Sequence, residues 1–411
     1  MPILTQEAIE MKLPRMMRIR QKFDGTHIQN IEKTVRRELE QEKIRKLIKT
    51  GRSIAVGVGS RGISNISRIV KETLICLKDQ GAMPYIVPAM GSHGGATAEG
   101  QAEVLRGYGV TEEAMGVSIK SSMDVTLLGH TPKGIPVYMD KNALAADMAI
   151  VIGRVKPHTA FKGPIESGLC KMLAIGFGKH IGCSRLHKEG WRDFSHVVSS
   201  VAEVSLKEAN VGFGIALVEN AFEQTAVIEA IVNDEFIMQD RKLLAKSKEM
   251  MPSLMVPDID VLIIEQIGKD ISGAGMDPNI IGRSSARGTI PGFKGPAIQR
   301  VVVLGLSEGT QGNACGIGIA DFITKKVFDQ IDFMPTYANM IAAGIPEGGR
   351  IPITMETERE AIIAAVKCCR NIGEAGPRIV RIKDTLHLGE IRVSENILPL
   401  LQDNDRIEIL G

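Results

Sequence analysis

The chain has 411 residues, of which 44% are hydrophobic and 24% are charged, as is typical of globular proteins. This length exceeds what one ordinary hydrophobic core accommodates, so we expect two domains. The formal net charge of +2 and the aromatic content of 4% argue against a nucleic-acid interface. The sequence has no apolar run long enough to span a membrane, no signal-peptide pattern in its first 18 residues, and no metal-finger spacing among its six cysteines. We therefore expect a cytoplasmic protein with reduced thiols and without membrane partners.

The first half of the chain predicts helices and strands in alternation. Apolar residues recur at helical spacing in its charged segments, and short apolar runs that end in glycine or proline mark its strands. In chain order the predicted elements are a helix at 30–49, a strand at 53–59, a helix at 66–78, a strand at 85–88, a helix at 97–105, a hairpin of 125–128 and 135–138, and a strand at 149–152.

The rest of the chain predicts a second alternation of the same kind. The predicted elements are a helix at 194–206, strands at 212–218 and 225–231, a helix at 235–250, a proline-marked break at 251–258, strands at 261–264 and 301–304, helices at 320–328 and 357–373, and strands at 379–384 and 407–409. We therefore predict two α/β domains with mainly parallel sheets and a cleft between them. The first domain spans 1–255, with 395–411 as candidates to complete it, and the second spans 256–394 and closes over the substrate.

Two histidines follow predicted strands at their carboxyl ends, where ligands collect in open α/β sheets. His93 lies in Gly91-Ser92-His93-Gly94-Gly95, which is suited either to presenting a general base or to a tight turn with a solvated histidine. His158 lies in Lys156-Pro157-His158, where the proline fixes the loop and would orient the imidazole rigidly. We expect the loops of Arg61, His93 and His158 to converge.

Lys171 lies in an apolar stretch, 169–175, where a lysine is unusual. Burial would lower its pKa, and a neutral amine could anchor a cofactor covalently. A lysine whose ammonium reaches water at a helix edge is the alternative, and the residues alone favour it. Cys183 and His187 are four residues apart and would make half of a metal site.

Two further segments are rich in glycine and arginine. Gly57 to Gly62 has the spacing of the dinucleotide motif G-x-G-x-x-G, but Ala82 and Met83 stand where its acidic residue is expected. This segment predicts a loop that binds phosphate or carboxylate, or an ordinary strand-to-helix turn. The loops at 273–279 and 282–288, which contain Arg283 and Arg287, would close over an acidic substrate or remain solvated loops.

Taken together, these segments resemble the nickel-dependent lactate racemase family of 2-hydroxyacid racemases and epimerases. The resemblance covers mainly residues 50–190. It lies in Arg61, in Gly91-Ser92-His93 with Ala96 to Glu99, in Lys156-Pro157-His158, and in Ser167-Gly168-Leu169-Cys170-Lys171 through Gly176. Leu169 replaces a second glycine, Ile175 replaces a proline, and about three extra residues precede Ser167, so the chain is read as a divergent member.

The resemblance implies a role for each matching residue. His93 and His158 would be opposed acid/base residues, and Lys171 would bind the nickel-pincer nucleotide covalently. His187 would be the histidine ligand of nickel, with His180 as the alternative. The remaining predicted contacts are those to the cofactor, from Arg61, Gly91, Ser167 and Gly168, and those to the substrate, from Arg61, Lys156, Arg283 and Arg287.

The activity that follows is interconversion of the C2 stereoisomers of a 2-hydroxyacid by reversible hydride transfer to the cofactor. The alternatives are a non-catalytic protein that binds a nucleotide or an organic acid, and an oxidoreductase of similar fold with another cofactor. The expected partners are a small 2-hydroxyacid and cofactor-maturation proteins, and the sequence leaves a homo-oligomer open.

Overall fold

The computed structural model describes residues 4–285 and 293–410 and divides the chain into two compact units. The inserted unit is Gly25–Met251, and the terminal unit combines Met1–Asp24 with Pro252–Gly411. The division after Met251 lies close to the predicted boundary at 255. The first 24 residues, however, belong with the C-terminal part of the chain and not with the inserted unit, which corrects the predicted domain 1–255.

The strands of the described residues share two large sheets and one hairpin. In chain order they are β1 (Met16–Gln21), β2 (Ser53–Val58), β3 (Met83–Pro88), β4 (Val125–His130), β5 (Pro136–Asp140), β6 (Met148–Arg154), β7 (Val211–Glu219), β8 (Thr225–Val232), β9 (Asp258–Ile264), β10 (Ala297–Val303), β11 (Phe322–Thr324), β12 (Ile353–Met355), β13 (Ile379–Ile382), β14 (Glu390–Ser394) and β15 (Ile407–Ile409).

The helices range from single turns to 15 residues, and within the described ranges none is long and apolar enough to cross a membrane. They are α1 (Gln6–Ile9), α2 (Ile31–Glu40), α3 (Glu42–Arg45), α4 (Ile66–Asp79), α5 (Ala98–Gly107), α6 (Glu112–Met115), α7 (Lys141–Leu144), α8 (Leu169–Lys171), α9 (Lys179–His187), α10 (Phe194–Glu208), α11 (Phe236–Met250), α12 (Pro278–Ile281), α13 (Lys325–Gln330), α14 (Phe333–Ala343), α15 (Glu358–Lys367) and α16 (Leu398–Leu401).

The inserted unit has a five-stranded sheet in the order β3-β2-β6-β7-β8. The first four strands are parallel, and β8 pairs antiparallel with β7. Alternate side chains enter two cores, because successive residues of a strand point to opposite faces. Ile54 and Val56 join the core that contains α2 and α4, whereas Ala55 and Val151 join the core that contains α8 to α11. A buried parallel sheet covered by helices on both faces confirms the predicted α/β class.

The terminal unit has an eight-stranded sheet in the order β12-β11-β10-β9-β13-β14-β1-β15. Strands β9 to β13 pair in parallel, and β14, β1 and β15 extend the sheet antiparallel. The predicted helix at 320–328 is wrong in its first half, because Phe322–Thr324 is a buried strand between β10 and β12. Residues 395–411 do not complete the inserted unit, because β15 pairs with β1 in this sheet.

The paired glycines of the 57–62 segment serve close packing in the inserted unit. A Cβ atom on Gly57 would lie 2.5 Å from Cζ of Phe177, and one on Gly59 would lie 3.1 Å from Sδ of Met172. Protein side chains therefore pack directly against both glycines. The G-x-G spacing here brings β2 against the segment that follows Lys171.

We predict that Gly57→Ala destabilises the protein by about 1–3 kcal/mol, because the added methyl group overpacks the core against Phe177. Urea unfolding of the two proteins measures the difference. The matched control is Gly107→Ala at the end of α5, where nothing lies within 4 Å of the new Cβ. This control should be neutral or stabilising by up to about 1 kcal/mol, as expected for alanine in a helix. Equal stability of Gly57→Ala and the original protein would contradict the prediction.

Candidate functional site

The candidate site lies at the carboxyl edge of the five-stranded sheet. The loops that follow β2, β3 and β6 carry Arg61, His93 and His158, and parallel pairing brings the ends of these strands to one edge. Nη2 of Arg61 is 3.3 Å from Nε2 of His93. The charges of Arg61 and Lys171 also act on His158. The structure thus brings together the three loops that the sequence analysis expected to converge.

His93 is held at both ring nitrogens. Arg61 donates to Nε2, so the neutral ring carries its proton on Nδ1 and donates it to Oγ of Ser60. The backbone on either side of Ser92 is also fixed, since the side-chain amide of Gln101 donates to the carbonyl oxygens of Gly91 and His93 at 2.8 and 3.3 Å. The imidazole therefore has a defined orientation and tautomer.

Arg61 has a strained backbone, with a φ of 85° in the left-handed region that non-glycine residues rarely adopt. Its backbone N–H donates to the hydroxyl of Tyr108 at 2.9 Å, and its carbonyl oxygen accepts from Nη2 of Arg154 at 3.1 Å. Arg154 in turn forms an ion pair with Glu219, whose other carboxylate oxygen accepts from the N–H of Ser64 at 2.7 Å. The sequence analysis missed Glu219, which anchors the Arg61 loop from the end of β7.

The His158 loop is built around a buried carboxylate. Glu166 is fully buried, and its Oε2 accepts from the N–H of His158 at 2.8 Å. The same side chain forms ion pairs with Lys162 at 3.0 Å and with Lys248 at 2.7 Å. Lys162 also donates to the carbonyl oxygen of His158 at 3.1 Å. Glu166 was another residue that sequence reasoning missed.

The imidazole of His158 lies in an aromatic environment. Its ring centroid is 4.3 Å from that of Phe161 and 6.2 Å from that of Trp191. Burial and the positive charges of Lys171 and Arg61 hold the pKa of His158 well below its usual value. The ring is therefore neutral near pH 7, and its Nδ1 accepts from the N–H of Ala160 at 3.0 Å.

Lys171 is positioned by a cap from a distant helix. The carboxylate of Asp240, which is fully buried on α11, accepts from the N–H groups of Leu169 and Cys170 at 3.0 and 2.8 Å. Gly168 has a φ of 132°, and a Cβ atom there would lie 2.5 Å from Oδ1 of Asp240. Gly168 therefore admits the capping carboxylate, and burial raises the pKa of Asp240 to about 6. In the sequence, Asp240 is marked only as an aspartate within the charged helix predicted at 235–250.

The surroundings of Lys171 lower the pKa of its amine. Burial and the positive charge of Arg61 lower its pKa to about 7, and its Nζ lies 6.0 Å from the ring centroid of Phe161. A large part of the amine is consequently unprotonated near neutral pH and available as a nucleophile. The turn that follows, Met172–Gly176, is a π-helix, a form frequent at functional sites.

Of the two candidate metal ligands, only His187 lies with the other site residues. Burial and the charge of Lys171 lower its pKa to about 4, and its Nε2 is 3.9 Å from Sγ of Cys183. Its ring centroid is 5.0 Å from that of Trp191. His180 is exposed, although it is only seven residues away on α9. Within the part of the chain described here, no three His, Cys, Asp or Glu side chains form a metal-binding group.

Ser167, Lys156 and Gly91 form hydrogen bonds that fix the loops of the site. The hydroxyl of Ser167 accepts from the N–H of Lys156 at 2.8 Å and also donates to its carbonyl oxygen. Gly91 donates to the carbonyl oxygen of Gly176 at 3.2 Å, and its φ of 60° suits glycine. Cofactor contacts of Gly91, Ser167 and Gly168 stay a prediction.

Arg283 and Arg287, which were predicted to bind the substrate, belong to the terminal unit. Arg283 forms an ion pair with Asp321 at 2.7 Å and donates to the carbonyl oxygens of Ile298 and Gln299 at 2.7 and 2.5 Å. Its guanidinium is thus engaged within its own unit. Arg287 lies outside the described residues.

Fold and site together define an α/β protein with histidines and a lysine of lowered pKa at the carboxyl edge of a parallel sheet. Residues 6–189 match the family described as the lactate racemase N-terminal domain. This match agrees with the resemblance to the lactate racemase family that the sequence motifs predicted.

Two solved structures share the fold. One is the lactate racemase apoprotein from Thermoanaerobacterium thermosaccharolyticum, with 14% identity, a TM-score of 0.55, and coverage of 91% of this chain and 99% of that one. The other is a protein from Thermotoga maritima, with 11% identity, a TM-score of 0.53, and coverage of 87% of this chain and 96% of that one. No curated protein matches the sequence.

We predict that Lys171 reacts with an amine-directed reagent with a pH midpoint near 7, and that Arg61→Met moves this midpoint upward by removing a positive charge. Mass spectrometry of labelled peptides across a pH series measures the rate. The matched control is Arg185→Met: Arg185 lies in the last turn of α9 and pairs with Glu189, which follows the helix, so its loss should leave the midpoint unchanged. A midpoint near the ordinary lysine value of about 10.4 would contradict the prediction.

Proposed function

We propose that this protein is a racemase or epimerase that interconverts the C2 stereoisomers of a 2-hydroxyacid with the aid of a nickel-pincer nucleotide. The observation that carries the proposal is the grouping of His93, His158 and Lys171 near Arg61, with His187 near Lys171, in the inserted unit. The match of residues 6–189 to the lactate racemase N-terminal domain supports it.

The residues present fit such a cofactor. Lys171, whose pKa of about 7 leaves much of the amine neutral, would hold it covalently. His187, whose pKa of about 4 keeps the imidazole neutral, would bind nickel, a metal that imidazole suits. A cofactor that brings its own metal donors is compatible with the described residues, among which no three His, Cys, Asp or Glu side chains form a metal-binding group. When bound, it supplies reversible acceptance of hydride from C2 of the substrate.

His93 and His158 would remove and return the proton of the substrate hydroxyl. A base on either face of C2 removes this proton from one enantiomer and returns it to the other. Nε2 of His93 is covered by Arg61 in this structure, so a substrate carboxylate that attracts the guanidinium would also expose the base. His158 is neutral near pH 7, as a base must be, and it takes a proton at Nδ1 once the N–H of Ala160 is released.

Cationic side chains would bind the substrate carboxylate. Arg61 presents a planar fork of donors suited to a carboxylate, and Lys156 lies on the neighbouring loop. Arg283 would have to leave Asp321 to take part, so we assign the main role to Arg61. Cofactor-maturation proteins are the partners that this proposal requires.

We predict that protein co-produced with pincer-nucleotide maturation enzymes carries a nickel-containing adduct on Lys171 and interconverts the enantiomers of a 2-hydroxyacid. Intact-protein mass spectrometry and chiral chromatography measure the adduct and the activity. His93→Ala and His158→Ala should each lower the rate by at least about 10²-fold while the adduct remains, because each removes an acid/base group.

The same experiment separates the proposal from its rivals. Lys171→Ala should abolish both adduct and activity, whereas a protein that only binds a nucleotide or an organic acid would keep its ligand. An unmodified, metal-free chain from cells that load a known lactate racemase would overturn the proposal. Full racemisation in either histidine variant would remove that histidine from the reaction.

We further predict that His187→Ala weakens nickel retention at least tenfold, because it removes the neutral imidazole beside Lys171. Metal analysis after dialysis against a chelator measures the retained nickel. His180→Ala is the matched control, since this exposed histidine lies on the same helix and should retain the metal. The opposite ranking of the two variants would show that the ligand assignment is wrong.

A further inference from the structure

A fully buried lysine lies behind the His93 loop, away from the groups assigned to the reaction. Lys179 and Asp140 are both 0% exposed, and Nζ of Lys179 is 3.2 Å from Oδ2 of Asp140. Nζ also donates to the carbonyl oxygen of Pro88 at 2.5 Å and to Oε1 of Gln101 at 2.9 Å. Its backbone φ of 51° is unusual for a side chain of this size. One ammonium thus joins the start of α9 to β5, α5 and the end of β3.

The ammonium determines which way the amide of Gln101 points. Because Lys179 can only donate, it must face the amide oxygen of Gln101, which is itself fully buried. The amide nitrogen is therefore directed at the carbonyl oxygens of Gly91 and His93. A reversed amide would place its oxygen against two carbonyl oxygens and its nitrogen against the ammonium, so that neither end of this buried amide would have a hydrogen-bond partner there.

Asp140 compensates the buried charge and is itself fixed. Its Oδ1 accepts from the N–H of Ala143 at 2.8 Å, so the carboxylate caps α7 while facing Lys179. A buried ion pair is costly to desolvate and adds little net stability compared with apolar residues of similar volume.

We propose that Lys179 and Gln101 are positioning residues for His93: the buried ammonium orients the Gln101 amide, which clamps the carbonyl oxygens on both sides of Ser92. This inference rests on the proposed function only in giving His93 a role in proton transfer. Ser60 and Arg61 hold the ring, and the Gln101 clamp holds the backbone from which that ring projects.

The first test is Gln101→Glu, which keeps the oxygen facing Lys179 but replaces the donating nitrogen by a second oxygen. In the protein without cofactor, NMR spectra of ring-labelled histidines should show shifted or broadened signals of His93, assigned with His93→Gln. The signals of His158 and His187 should stay in place. The matched control is Glu103→Gln, an exposed position on the same helix, which should change none of the three.

The second test separates positioning from stability. Lys179→Met alone leaves the carboxylate of Asp140 buried without its ion-pair partner, and should destabilise the protein. The double variant Lys179→Met/Asp140→Asn leaves no unpaired buried charge and should unfold at a temperature close to that of the original protein. It should nevertheless alter the His93 signals, because the oxygen end of the Gln101 amide has then lost the ammonium that holds it.

In the loaded enzyme, Gln101→Glu should lower kcat by about 10–100-fold, as expected for a displaced catalytic group, with KM changed less than about twofold. Unchanged His93 signals in both Gln101→Glu and the folded double variant would overturn the inference, as would an unchanged kcat. The NMR measurement requires neither substrate nor cofactor. If racemase activity is absent altogether, altered His93 signals still establish the clamp, and the proposed function alone fails.

Discussion

Parallel pairing of β2, β3 and β6 is the constraint on which the rest of the site depends. Val58 at the end of β2 is level with Pro88 on one side and Ile152 on the other, so the three chains leave the sheet together. Each strand then turns into a loop that carries a charged or titratable side chain. The short, buried β-strands thereby convert residues that are distant in sequence into neighbours, as the 3.3 Å contact between Arg61 and His93 shows.

Buried charged side chains next to these loops form hydrogen bonds with backbone groups of the loops. Glu166, Glu219 and Asp240 each accept hydrogen bonds from N–H groups of the loops that carry His158, Arg61 and Lys171. Lys179 donates to the carbonyl oxygen of Pro88, and the Gln101 amide that it faces donates to the carbonyl oxygens of Gly91 and His93. Loops that satisfy their polar groups inside the protein have few alternative conformations, since an unmade buried hydrogen bond costs about 1–3 kcal/mol. Pre-organisation of this kind is what acid/base chemistry requires.

The same burial sets the protonation of the reactive groups. Removal from water disfavours charge, and the positive charge of Arg61 adds to this effect on Lys171 and His158. Near pH 7, His187 is therefore neutral and Lys171 is about half unprotonated. His180, on the same helix, remains in water. Position on the helix, and not residue type, distinguishes the two histidines.

Hydrophobic periodicity by itself determined all five strands of the inserted unit's sheet and its helices α2, α4, α5, α10 and α11, because it is a local property of the chain. It did not predict the short helices α6 to α8, nor α9, which carries His187. Glycine and proline next to His93 and His158 likewise marked the loops of the site. Tertiary structure alone decided the strand pairing of the terminal unit, where β1 pairs with β14, which lies 370–378 residues further along the chain, and Phe322–Thr324 becomes a strand between two others. It also decided the partners of the buried charges, such as Asp240 at the start of α8. A short apolar run or a single acidic residue has no distinctive local pattern, and its role depends on which distant segment the fold places against it.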